Sequence, residues 1–161
     1  MHYWCGIVGD QIIGPHFIDG NLTGEPYAHF IRSRLGTLLE NVSLNVRQMI
    51  WLWHDGCPAH CARRVRDALN ELYPNKWIRR GGLVSWLPRS PDLTRLDLRL
   101  WRALKNAVYQ EVPTTPENMK QRIIAVCIRI SSDTIRHARD AAVRRLQVCI
   151  DANGHHFQYL L

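Results

Sequence analysis

The sequence predicts an α/β domain, or an α+β one, with a mixed sheet and a helical carboxyl-terminal part. Two observations carry that expectation. Short apolar segments bounded by glycine, proline and polar turns recur in the first 90 residues, which is the pattern of strands. Between and after them the apolar residues recur at three- and four-residue steps, which is the pattern of helices.

Residues Tyr3 to Val8 and Gln11 to Ile18, joined at Gly9-Asp10, predict a β-hairpin, so the chain opens inside a sheet. From Thr23 the steps through Tyr27, Phe30, Ile31, Leu35 and Leu38 predict helix, with Pro26 in its first turn. Met49 to Trp53 is a continuous apolar run of strand length and predicts a strand buried on both faces. After Pro58 a helix follows with Ala62, Val65, Leu69 and Leu72 inward and Arg63, Arg64, Arg66 and Asp67 outward, ended by Pro74-Asn75. Leu83 to Leu87 predicts a second short strand, and Leu96, Leu100, Leu104 and Val108 mark the next helix. Thr115-Pro116-Glu117 starts another, with Thr as N-cap and Pro at the first position. Ser132-Asp133 starts the last, which runs toward Asn153-Gly154. No repeat or linker divides the chain, so residues 1–161 are expected to form one domain, large enough to bury about two-thirds of its unfolded surface.

Lys and Arg number 21 against 14 Asp and Glu, and the formal charge of +7 makes a polyanion such as nucleic acid a natural partner. Five cysteines without a repeating spacing, Cys5, Cys57, Cys61, Cys127 and Cys149, suit free thiols in a reducing compartment. There is no signal-like leader and no apolar run approaching the ~18 residues of a membrane span, so a soluble cytosolic or nuclear protein without a membrane partner is expected.

The chemistry gathers at two apolar runs that end in turns. Asp55 follows one predicted strand and precedes a helix, which puts it where open α/β sheets collect ligands; N-capping of that helix is the structural alternative. Asp97 starts the helix after the second strand, and if the two strands are neighbours both carboxylates face one cleft. Paired carboxylates are hard oxygen ligands suited to Mg²⁺, and in two-metal phosphoryl transfer such ions activate the attacking group and stabilise the leaving oxygen. Asp92, in Ser90-Pro91-Asp92, competes with Asp97 but fits better as a helix cap.

His54, Cys57, His60 and Cys61 crowd into one turn and helix start, whereas structural zinc sites draw ligand pairs from two places; zinc is not expected. His60 either stands near a phosphate or packs locally. Arg63, Arg64, Arg66, Arg79, Arg80, Arg89, Arg95, Arg99, Arg102 and Lys105 lie on or around the two strand ends and could hold a phosphate backbone; at any one of them a solvated basic face is the alternative. Arg144-Arg145 reads as such a face.

The segment His54-Asp55-Gly56-Cys57-Pro58-Ala59-His60 resembles the HD(N/G)AP(S/A)H box of mariner-type DDE/D transposases. Ser90-Pro91-Asp92-Leu93-Thr94-Arg95-Leu96-Asp97 resembles their SPDL(A/T)P(S/L)D box. Trp4 to Asp10 and Ala152 to Phe157 are similar to flanking segments of the same family, so the likeness spans nearly the whole chain. Cys57 stands where the family has Ala, Arg95 where it has Pro, and Leu98-Arg99 where an aromatic pair is common.

The resemblance implies an RNase H-like catalytic domain that cuts transposon ends and joins them to target DNA with Mg²⁺ or Mn²⁺. It implies that Asp55 and Asp97 are the second and third catalytic acids and metal ligands, and that His60, Arg63, Arg64, Arg89, Arg95 and Arg99 contact nucleic acid. DNA is then the partner, self-association into a homodimer stays open, no small-molecule substrate is expected, and the compartment is nuclear. In the family's pattern the first acid lies on a central strand just before the hairpin, a strand this sequence lacks; Asp10 and Asp19 are poorly placed to replace it. The expectation is a partial catalytic domain, truncated at the amino terminus, that does not cleave DNA alone and binds metal weakly. Its remaining strands would either close the gap or leave open edges on the hairpin and on the 49–53 strand. The alternative is a non-catalytic nucleic-acid-binding or interaction module of the same origin.

Overall fold

The computed structural model describes residues 2–54, 57–79, 84–85, 102, 104–112 and 115–153. The chain is mixed α/β and divides into two compact units: Met1–Val8 with Ile13–Arg89, and Gly9–Ile12 with Ser90–Leu161.

The predicted hairpin is present as β1, His2–Val8, and β2, Gln11–Ile18, paired with each other. A two-residue connection leaves only antiparallel pairing open to them, and Gly9 supplies the positive φ, 64°, that the turn needs. The first predicted helix is also present, as α1, Gly24–Ser33, followed by a single turn, α2, Leu35–Leu38. Its stripe is buried as the period requires: Tyr27, Ala28, Phe30, Ile31 and Leu35 are all core residues.

The 49–53 run departs from expectation. Met49 ends a helix, α3, Leu44–Met49, and only Leu52–Trp53 form a strand, β3. That strand is not buried on both faces: Trp51 is 51% exposed and Trp53 39%. Among the described residues β3 is hydrogen-bonded on one side only, to one neighbour.

That neighbour is a strand the periodicity did not reveal, β4, Trp77–Arg79, which lies between β3 and β5, Val84–Ser85. All three run parallel, with Leu52 opposite Trp77 and Ile78 opposite Val84. Leu52 N–H donates to Lys76 O at 2.8 Å and His54 N–H to Ile78 O at 2.9 Å. The predicted 83–87 strand is seen at residues 84–85, its remaining residues lying outside those described. Among the described residues the hairpin and the three parallel strands form separate sheets.

The helix between β3 and β4 is α4, Arg63–Leu72. Val65, Ala68 and Leu69 are fully buried while Arg63, Arg64, Arg66 and Asp67 face solvent, as the period predicts. Leu72 is the exception at 44% exposed, since the helix ends there and Tyr73 is its C-cap. The core of this unit joins α1 and α4 to the hairpin and to Trp77, whose indole N–H donates to Asn70 Oδ1 at 3.1 Å. Phe30 carries the hairpin side, with ring centroids 5.0 Å from Trp4 and 4.9 Å from His16. Burying a side chain such as Phe30 or Leu69 stabilises the fold by about 1.5–3 kcal/mol.

In the second unit residues 104–108 are helical, with Leu104 and Val108 buried, in register with the predicted stripe; Leu96 and Leu100 lie outside the described residues. Two helices follow, α5, Pro116–Arg129, and α6, Ser132–Asp151. Thr115 caps α5 as expected, its hydroxyl accepting from Asn118 N–H at 3.1 Å with Pro116 at the first position. The cap of α6 is Ser131, one residue before the predicted start, and accepts from Thr134 N–H at 3.2 Å. Arg122 of α5 binds the 104–112 segment through the Glu111 carbonyl at 2.7 Å and its carboxylate at 3.1 Å. Asp10, of the hairpin turn, is ion-paired with Arg136 at 3.9 Å.

Candidate active site

The order β3, α4, β4 is a parallel β-α-β unit, and the segment from His54 to Ala62 is its first connection. Connections at the carboxyl ends of parallel strands are where open α/β sheets bind ligands. The strand hydrogen bonding reaches His54, whose N–H still belongs to the ladder with β4.

The His54 side chain turns into the core, only 6% exposed, and its Nε2 is 2.9 Å from the hydroxyl of Tyr27 on α1. The end of the same connection comes back to the same residue: the His60 ring lies 4.2 Å from that of Tyr27 and 5.3 Å from that of His54. Ala59 is buried beside them. Of the two expectations for His60, local packing describes its ring contacts.

Close approach of two helix starts shapes the rest. A Cβ at Gly24, the first residue of α1, would sit 2.2 Å from the Cβ of Ala62, the N-cap of α4. Only glycine admits this contact, and it brings Arg64 of α4 onto the Glu25 carboxylate, an exposed ion pair. A second pair, Arg32 with Glu71 at 3.3 Å, joins the other ends of the two helices. Arg64 is thus neutralised by Glu25, whereas Arg63 and Arg66 project into solvent.

Asp55, Asp92, Asp97, Arg80, Arg89, Arg95 and Arg99 lie outside the described residues. One condition set for the expected cleft does bear on the strands: β3 and β5 are not neighbours, since β4 lies between them, which separates them by roughly 10 Å at the usual strand spacing. Arg102 and Lys105 are exposed. Among the described residues no three His, Cys, Asp or Glu side chains are grouped to hold a metal ion. None of the five cysteines is in a disulfide, and no helix among the described residues is long and apolar enough to cross a membrane.

Sequence reasoning missed Tyr27. It reads as one more apolar position in the α1 stripe, and nothing within helical range of it signals a partner 27 residues away. The available hint was chemical: a tyrosine rather than a phenylalanine in a fully buried stripe needs a hydrogen-bond partner for its hydroxyl. Comparison with protein-family models, with curated proteins and with solved structures returned no match for this chain.

Proposed function

We propose that this chain is a partial RNase H-like catalytic domain of the mariner-type DDE/D transposase kind, a class that acts on DNA phosphodiesters with Mg²⁺ or Mn²⁺; with two of the three acids it does not cleave DNA alone. Asp55 and Asp97 are its second and third acids. The observation that supports the reading is the β3-α4-β4 unit: the segment resembling the first catalytic box leaves the carboxyl end of a parallel strand and leads into a helix. The helix that follows carries exposed Arg63 and Arg66, charges that would attract a DNA backbone. Asp55 and Asp97 would hold the metal, which when bound would supply positive charge to offset charge building up on the phosphate. DNA is the partner and the nucleus the compartment in this reading.

A second reading, a non-catalytic nucleic-acid-binding module of the same origin, draws on the +7 charge and the solvent-facing arginines of α4. Supercoiled DNA separates the two. Nicking that requires Mn²⁺ or Mg²⁺ and disappears in Asp55→Ala and Asp97→Ala supports the enzyme. Binding with steep salt dependence, no nicking and no Mn²⁺ affinity that depends on Asp55 supports the module. Absent or salt-independent DNA binding contradicts both.

A further inference from the structure

We infer that Trp51 and Trp53 form a stacking platform for the bases of unpaired DNA; the inference rests on the DNA-binding reading that both versions above share. Leu52 packs against the core and lies opposite buried Trp77, so strand alternation turns Trp51 and Trp53 to the other face of the parallel sheet. Register continues that face through Ile78, opposite Trp53, to Val84, opposite Ile78. Trp51 is 51% exposed, Trp53 39% and Val84 43%, whereas parallel sheets as a rule are covered on both faces. Core packing therefore does not account for two indoles at these positions.

Charge names the occupant. Residues 43–54, 73–79 and 84–85 contain Arg47, Lys76 and Arg79 but no Asp or Glu. Lys76 precedes Trp77 and so stands level with Trp51, and its Nζ donates to the Gln48 carbonyl, a neutral acceptor that leaves the cation's charge in place. A second copy docked about a two-fold axis would set these like charges against each other. A polyanion with exposed π-faces meets both the cations and the rings, and aromatic stacking beside basic residues is how proteins hold single strands. In a duplex the bases are stacked on one another and leave no face for an indole, which selects unpaired DNA. Two residues of strand separate the indoles by roughly 6.6 Å, so each takes one base.

The test is fluorescence anisotropy of labelled oligo(dT), and of a labelled duplex, titrated with the full 161-residue chain. Trp51→Ala and Trp53→Ala are each expected to weaken oligo(dT) binding about fivefold or more, the low end for loss of one base stack, and to leave duplex binding unchanged. The salt dependence stays as in the wild type, because no charge is removed. Trp51→Phe keeps a ring and retains most of the affinity, which covers a Trp51→Ala chain that does not fold. Val112→Ala, at an apolar side chain 83% exposed in the other unit, changes nothing. Wild-type oligo(dT) affinity in both alanine variants, equal losses on oligo(dT) and duplex, or equal losses in Trp51→Phe and Trp51→Ala overturns the inference while the DNA-binding reading stands. Self-association in sedimentation that Trp51→Ala abolishes, with oligo(dT) binding intact, overturns it in favour of a second copy. A wild type that binds neither DNA removes the DNA-binding reading and this inference with it.

Discussion

The hydroxyl of Tyr27 and Nε2 of His54 meet at 2.9 Å across 27 residues of sequence, joining the first helix to the residue that closes β3. Both groups are buried, so each satisfies the other where water does not reach. The contact ties α1 to the residue that follows β3. Three features around it, the Gly24 approach, the Phe30 ring contacts and the arginines of α4, give separate measurements.

Gly24→Ala places a methyl group 2.2 Å from the Cβ of Ala62, so the starts of α1 and α4 must move apart. Overpacking of this kind costs about 1–3 kcal/mol, more than the roughly 1 kcal/mol that alanine gains over glycine within a helix. Urea unfolding is expected to show net destabilisation with an unchanged slope. A gain in stability contradicts the close packing of the two helix starts.

His16 stacks on Phe30, and burial, with the Arg34 charge adding to it, lowers its pKa below the ordinary 6.5, against a smaller raising effect of Asp19. A lowered imidazole pKa means that the unfolded chain binds the proton more readily. The stability from neutral His16 is therefore fully present above pH 6.5 and is lost as pH falls from 6.5 through the folded value. His16→Gln is expected to flatten the pH dependence of the unfolding midpoint in that window. An unaltered pH profile in the variant contradicts the assignment.

Thr115→Ala removes the side-chain acceptor for Asn118 N–H and is expected to cost about 0.5–2 kcal/mol. Faster amide exchange in the first turn of α5, with α6 unaffected, is the matching local signature. Equal protection in both proteins contradicts the cap.

That cap was legible in Thr115-Pro116-Glu117 because capping is local chemistry, settled by three residues in a row. The hairpin was legible for the same reason, through Gly9-Asp10 and the apolar runs on either side. The 49–53 run was not, because whether Trp51 and Trp53 are covered depends on what packs over their faces, which the run itself does not encode. Trp77–Arg79 was missed as a strand because three residues carry no period, and its pairing with Leu52 and Trp53 is fixed by the length of α4 between them. At the site, sequence pointed to the 54–60 segment but not to Tyr27, whose role exists only once α1 packs against that segment.

The arginines of α4 differ in what already neutralises them. Arg64 is paired with Glu25, while Arg63 and Arg66 stand in solvent. If α4 faces DNA, Arg63→Ala and Arg66→Ala are each expected to reduce the slope of log affinity against log salt by about 1, and Arg64→Ala by less. Equal effects from all three, or none, contradict a DNA-facing α4.

The account turns on Asp55 and Asp97 sharing a metal ion, and a Mn²⁺ titration of the wild type, Asp55→Asn, Asp97→Asn and the double variant measures that directly. The account predicts weak binding by the wild type, a loss of about tenfold or more in each single variant, and little further loss in the double, since one shared ion cannot be lost twice. Equal Mn²⁺ affinity in the wild type and both single variants, or losses that simply add in the double, would contradict it.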